Sequence, residues 1–181
     1  MDLTEKTLSQ EYIFKGRILN MRVDEALLPD GTTAGREVVE HPGGVCVAAL
    51  TEDDCLLFVR QFRYPYGEVL PEIPAGKRDL GETPLETGKR ELKEETGYTA
   101  NNYLSLGRVY PSPGYFNEVI YMYLATDLEA GEVSPDADEF LEVEKIPLAR
   151  AVDMVMNDEI TDAKTQAAVM KVWFLRQNGE I

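Results

Sequence analysis

Apolar and polar positions alternate along Leu19–Leu28, where Leu19, Met21, Val23 and Leu27 share one side of an extended chain, the period of two that a half-buried strand requires. The same pattern predicts strands at Tyr12–Phe14 and Arg36–Glu40 around a Pro29-Asp30-Gly31 turn, and further strands at Val45–Leu50, Leu56–Arg60, Tyr103–Val109, Glu118–Ala125 and Glu142–Lys145. Elsewhere the period lengthens to that of a helix. One helix is predicted to start at Thr83, with Thr as N-cap, Pro84 as the first helical residue and Glu86 closing a capping box, and to end at Gly97. A second follows Pro147, with Leu148, Ala151, Val152, Val155 and Met156 on its apolar stripe. A third runs from about Asp162 to Gln177 and is expected to bury Ala163, Ala167, Met170, Trp173 and Phe174.

With 181 residues, 44% of them hydrophobic, and no repeat or linker, the chain is expected to form one domain with a substantial core. No stretch approaches the ~20 apolar residues of a membrane span. Residues 1–10 lack the basic start and apolar run of a signal peptide, so a cytoplasmic location is expected. Cys46 and Cys55 are expected to be reduced, buried packing thiols, since they have neither a CxxC partner nor a histidine at ligand spacing. The net charge of -15 opposes binding to nucleic acid or to anionic membranes, leaving a small-molecule partner as the expectation. If that partner is a phosphate anion, the local sign must be reversed, and divalent cations do this.

The first helix carries the candidate chemistry. Glu91 and Glu95 are four apart and Glu94 is three from Glu91, so three carboxylates share one face. Like charges at this spacing are unfavourable by about 0.2–0.5 kcal/mol per pair, and Arg90 and Lys93 are expected to offset only part of it. Hard divalent ions take this kind of oxygen donor set.

Reading outward, the segment is Gly76, five residues, Glu82, seven residues, Arg90-Glu91-Leu92, one residue, Glu94-Glu95, one residue, Gly97-Tyr98. At roughly 7% usage per residue type, seven fixed positions recur by chance on the order of once in a million chains of this length. The segment resembles the Nudix box at every defined position. That resemblance implies an α/β/α sandwich around a mixed sheet, with an N-terminal antiparallel strand extension. It implies Mg²⁺, with Mn²⁺ as a substitute, held by Glu91, Glu94, Glu95 and the backbone carbonyl of Ala75. Glu82 and Arg90 are expected to pair and hold the loop to the helix, with Gly76 and Gly97 as supporting positions. Gly88, where the family often has a small Ala, is expected to pack closely on the sheet.

The box implies water attack on a nucleoside diphosphate linked to another group and does not name that group. Tyr110-Pro111-Ser112-Pro113-Gly114 places a Ser-Pro-Gly fifteen positions beyond Tyr98, which resembles the ADP-ribose pyrophosphatase branch. Arg36-Glu37 with His41-Pro42-Gly43-Gly44, Val59–Pro65 and Pro71–Gly76 resemble the same branch in order. The likeness spans about Tyr12 to Leu175. It implies that Arg63 contacts the diphosphate, that Arg36 and Glu37 reach the adenine across a dimer interface, that Gly114 belongs to the substrate site, and that Glu72 and Glu118 hold the terminal ribose or metal waters. The acidic segment 134–142 resembles the mobile loop that orients the attacking water. Glu139 is its expected base or additional metal ligand, with Asp136 and Asp138 as rivals, and Glu94 is the other expected catalytic acid. His41, beside Pro-Gly-Gly, is expected to be structural.

The resulting expectation is Mg²⁺-dependent hydrolysis of ADP-ribose to AMP and ribose 5-phosphate by a homodimer, with residues up to about 40 as the dimerisation element and 41–181 as the catalytic fold. The alternatives are cleavage of another nucleoside-diphosphate sugar or a dinucleotide, such as GDP-mannose or NADH, or a non-catalytic sensing module. The intact Glu91, Glu94 and Glu95 oppose the last.

Overall fold

The computed structural model describes residues 2–134 and 140–181, which form two compact units. The first comprises residues up to Gly43 together with Tyr110–Val119. Strands β1 (Lys6–Lys15), β2 (Asn20–Leu27) and β3 (Thr33–Glu40) form an antiparallel sheet in that order. The predicted turn is closed by a 2.8 Å bond from Leu28 N–H to the Thr32 carbonyl, and the Asp30 carboxylate accepts the Thr32 N–H. The Pro113-Gly114 segment joins this unit through β3: Val39 N–H donates to the Tyr115 carbonyl at 2.7 Å, and Asn117 N–H donates back to Val39 at 3.0 Å. Strand β1 is exposed along its whole length, including Leu8, Tyr12, Ile13 and Phe14.

The second unit comprises Gly44–Val109 and Ile120–Ile181. Its elements are β4 (Gly44–Ala49), β5 (Cys55–Arg63), β6 (Glu68–Glu72), β7 (Ala75–Lys77), α1 (Pro84–Thr96), β8 (Tyr98–Val109), β9 (Ile120–Ala130), β10 (Leu141–Pro147), α2 (Leu148–Met156) and α3 (Ala163–Gln177). A four-stranded mixed sheet has the order β7-β4-β9-β8, with β4 and β9 parallel, and a three-stranded antiparallel sheet has the order β10-β5-β6. Successive residues of β4 point to opposite faces. Val47 and Ala49 pack with Leu92 of α1, while Cys46 and Ala48 pack with Ala168, Val169 and Val172 of α3 and Ala151 of α2. The unit is thus an α/β/α sandwich. Its fully buried Cys46 thiol has its pKa pushed up to about 12 by desolvation, which makes it an inert packing group, whereas Cys55 is only half-buried.

Three local expectations differ from the structure. Strands β6 and β7 were hidden in the sequence by Pro71 and Gly76; β6 tolerates its proline because it is an edge strand. In α2, Met154 takes the buried position and Met156 is exposed. In α3, the buried face is Thr165, Ala168, Val169 and Val172, whereas Ala163, Met170 and Phe174 are exposed and Ala167 and Trp173 are half-buried. The cause is Thr165, whose hydroxyl accepts the buried Ile73 N–H at 3.1 Å. A polar residue and a small Ala occupy the core stripe, so the larger apolar side chains on the outer face dominate the sequence pattern.

Candidate active site

Helix α1 forms as its sequence dictates. Thr83 accepts the Glu86 N–H, the Glu86 carboxylate accepts the Thr83 N–H at 2.8 Å, and Pro84 occupies the first turn. At the other end Gly97 adopts φ 77°, and its N–H closes on the Lys93 carbonyl at 2.8 Å. Leu92 anchors the helix in the core, and Gly88 lets it approach the sheet: a Cβ there would lie 3.1 Å from Val45 and 3.2 Å from Val47. With Leu92 facing inward, Glu91 and Glu95 lie at the buried margin of the helix and Glu94 is more exposed.

Strand β7 runs against this margin. Ala75 donates its N–H to Glu95 Oε2 at 2.9 Å, and Glu95 is only 2% exposed. At Gly76 the absence of a side chain is a steric requirement, because a Cβ built there would overlap the Glu91 carboxyl carbon and both of its oxygens.

Arg90 is the hub of the box. It donates from Nε and Nη2 to the two oxygens of Glu82 at 2.9 and 3.0 Å, and from Nη1 to Glu91 at 2.8 Å and Glu94 at 2.9 Å. It therefore offsets more of the carboxylate repulsion than its helical neighbours alone suggest. Glu82 also accepts the Thr87 hydroxyl at 2.8 Å. The Arg90 guanidinium holds the Glu82 carboxyl down at about 2, and the Arg90 pKa is raised, chiefly by Glu82. Because Glu82 titrates lower in the folded chain than its ordinary value of 4.5, it stabilises the fold above that value and loses this contribution as pH falls toward 2. Thermal melts of the wild type and Glu82→Gln are therefore expected to differ by a constant amount near neutrality and to converge below about pH 4.5. A difference that persists undiminished at pH 2.5 would contradict the pairing.

The donor set suits a hard divalent cation, since Glu91, Glu94 and Glu95 supply carboxylate oxygens next to the backbone of Ala75. Among the described residues, however, no three acidic, His or Cys side chains already converge as a metal cage. Arg90 draws Glu91 and Glu94 onto one nitrogen.

A second cluster lies at the end of β5. Arg63 donates from Nε to Glu72 Oε1 at 2.6 Å and from Nη2 to Oε2 at 2.8 Å, with Glu72 only 2% exposed. The pKa of Arg63 is raised by this pairing, with smaller contributions from Asp162 and Glu95. Lys164 also donates to Glu72 and sits 3.0 Å from Asp162. Neither Lys164 nor Asp162 stands out in the sequence, because their partner Glu72 is 92 residues from Lys164 along the chain. The only local signal is Asp162 as an N-cap, accepting Thr165 N–H at 3.0 Å.

The remaining expected positions fall in the first unit. Arg36 forms a bidentate pair with Glu5 at 2.5 and 2.8 Å. Together with Glu37, Gly114, Tyr115 and Asp24 it lines a cavity of about 260 Å³. His41 Nδ1 accepts the Gly43 N–H at 3.1 Å, the Glu118 carboxylate lies 3.2 Å from the same nitrogen as a neighbour rather than a hydrogen-bond partner, and the His41 and Phe116 rings meet edge to face. His41 is a structural tie, as its turn context suggests. Glu139, Asp136 and Asp138 lie outside the described residues.

Comparison with known proteins identifies the family. Residues 40–170 match the NUDIX domain, and residues 5–39 match the nucleoside diphosphate sugar hydrolase N-terminal domain. The chain is 42% identical to the ADP-ribose pyrophosphatase of Bacillus subtilis (strain 168), covering 92% of this chain and 91% of that protein. It is 41% identical to the methanol dehydrogenase activator of Bacillus methanolicus, covering 91% and 90%. A crystal structure of an ADP compounds hydrolase shares the fold, with a TM-score of 0.86 at 24% identity and full coverage of both chains. With the domain match spanning most of its length and the box geometry in place, the chain belongs to the Nudix family.

Proposed function

We propose that this Nudix protein is a divalent-cation-dependent pyrophosphatase that splits ADP-ribose into AMP and ribose 5-phosphate by water attack on a phosphorus. The observation that carries the reading is the set of three glutamates on one capped helix beside Ala75, in a chain 42% identical across 92% of its length to an ADP-ribose pyrophosphatase. Glu91, Glu94, Glu95 and the Ala75 carbonyl would hold Mg²⁺, with Mn²⁺ as a substitute. When bound, the metal neutralises the diphosphate, lowers the pKa of water and stabilises the departing phosphate.

The protein's own groups do the rest. One edge of the Arg63 guanidinium is engaged by Glu72, and the other would donate to two phosphate oxygens. Arg36 and Glu37, with the Gly114 segment, receive the adenosine half. Glu72 acts at the terminal ribose or on the metal waters, a role the resemblance gives to Glu118 as well, and Glu139 orients or deprotonates the water, with Glu94 as the second acid. The unit is a cytoplasmic homodimer. The support for a dimer is β1, which exposes Leu8, Tyr12, Ile13 and Phe14 and is unpaired on its outer edge; no helix among the described residues is long and apolar enough to cross a membrane.

Turnover of ADP-ribose, GDP-mannose and NADH is compared in Mg²⁺. The highest kcat/KM is expected for ADP-ribose, with AMP and ribose 5-phosphate as products; preferred cleavage of either other compound overturns the substrate. A second reading rests on the likeness to a methanol dehydrogenase activator, in which the chain acts on a dehydrogenase. Stimulation of a methanol dehydrogenase by a chain inert toward ADP-ribose would favour it.

A further inference from the structure

Lys164 occupies a place that elementary electrostatics disfavours. Its ammonium is largely buried, with 12% of the side chain exposed, and it lies in the first turn of α3, where the helix dipole repels cations. Burial pulls its pKa down, yet Asp162 and Glu72 outweigh this and the net direction is up, so the amine is held as a cation. Glu72 mirrors this: burial pushes its carboxyl up, and Arg63 and Lys164 bring it below the ordinary value. Such a placement breaks two local rules, and breaks of this kind cluster at functional sites.

The surrounding bonds form a closed circuit. Arg63 holds Glu72, Glu72 holds Lys164, Lys164 meets Asp162, and Asp162 accepts the Thr165 hydroxyl at 2.5 Å. Thr165 in turn accepts the N–H of Ile73, the residue next to Glu72. The circuit fixes the same short segment, Glu72 to Ala75, whose other end donates to Glu95.

We propose that Lys164 is a positioning residue for Arg63, which it serves by holding Glu72 in the one orientation that grips the guanidinium on both of its oxygens. Lys164 also completes the charge. Two cations and two carboxylates sum to zero, whereas loss of Lys164 leaves a net charge of -1 where an anionic diphosphate must dock. The inference rests on the proposed contact between Arg63 and the diphosphate.

The test is a double-mutant cycle read as KM and kcat for ADP-ribose in Mg²⁺. Lys164→Met is expected to raise KM about tenfold, as expected for a disrupted charged hydrogen bond, with a smaller change in kcat, and Lys164→Arg to recover part of the loss. Arg63→Ala is expected to raise KM, and Lys164→Met added to it to raise KM much less than on the wild-type background, by the change of charge alone. A wild-type KM in Lys164→Met, or a full multiplicative effect on the Arg63→Ala background, overturns the proposal while leaving the role of Arg63 intact. A wild-type KM in Arg63→Ala overturns the role of Arg63 and the proposal with it. If Lys164→Met does not fold, Lys164→Gln keeps an amide donor for Glu72 without the charge and is expected to raise KM by less; an unchanged KM there is equally decisive. A merely structural Lys164 would lower the melting temperature and leave KM alone.

Discussion

Replacing Glu95 with Gln is expected to lower metal-dependent turnover of ADP-ribose by on the order of a thousandfold, since under the proposed function it removes a metal ligand and with it several kcal/mol of transition-state stabilisation. The fold is expected to survive. A glutamine oxygen accepts the Ala75 N–H as the carboxylate does, and removing one of three like charges from a helix face relieves repulsion. Glu91→Gln is expected to behave in the same way, keeping an oxygen for Arg90. Kinetics at saturating Mg²⁺, with a thermal melt of each variant, provide the check. Turnover within twofold of wild type in both variants would remove the glutamates from the mechanism.

The second large effect is expected at Gly76, which contributes no functional group. A methyl group there must displace the Glu91 carboxylate. Because the displaced atoms are the end of a flexible side chain, Gly76→Ala is expected to fold with little change in melting temperature. Activity is expected to fall on the order of a hundredfold or more, since misplacement of a catalytic group by about 1 Å can have that effect. The double variant Gly76→Ala/Glu91→Gln is then expected to be no worse than Glu91→Gln alone, as both changes act on one ligand. Additive losses would show that Gly76 acts through something other than Glu91.

What the sequence disclosed and what it hid divide by the range of the interactions. The boundaries of α1 were legible because Thr83, Pro84, Glu86 and Gly97 act within one turn of the helix ends. The box was legible because Glu82, Arg90 and Glu91 meet through local chain geometry. By contrast, Lys164 and Asp162 meet Glu72 only after the chain has crossed both sheets, so no spacing announces them. The inner face of α3 was obscured for a related reason. Thr165 is buried to satisfy a distant backbone donor, and a polar residue in a core stripe reverses the apparent pattern. The Pro113-Gly114 segment was recognisable as a turn, yet its attachment to β3 is a tertiary fact.

The two caps of α1 also bear on how the chain tolerates insertions and deletions. Thr83 and Gly97 pin both ends of the helix, and Leu92 pins its middle to the core. Each residue added or removed between the caps turns everything beyond it by about 100° and shifts it by about 1.5 Å. A single deletion between Glu86 and Arg90 would therefore swing the glutamates away from Ala75 and Gly76 while leaving every functional residue present. In this helix the count of residues is itself a requirement, and side chains at outward positions such as Lys89 and Lys93 are open to exchange in a way that their number is not.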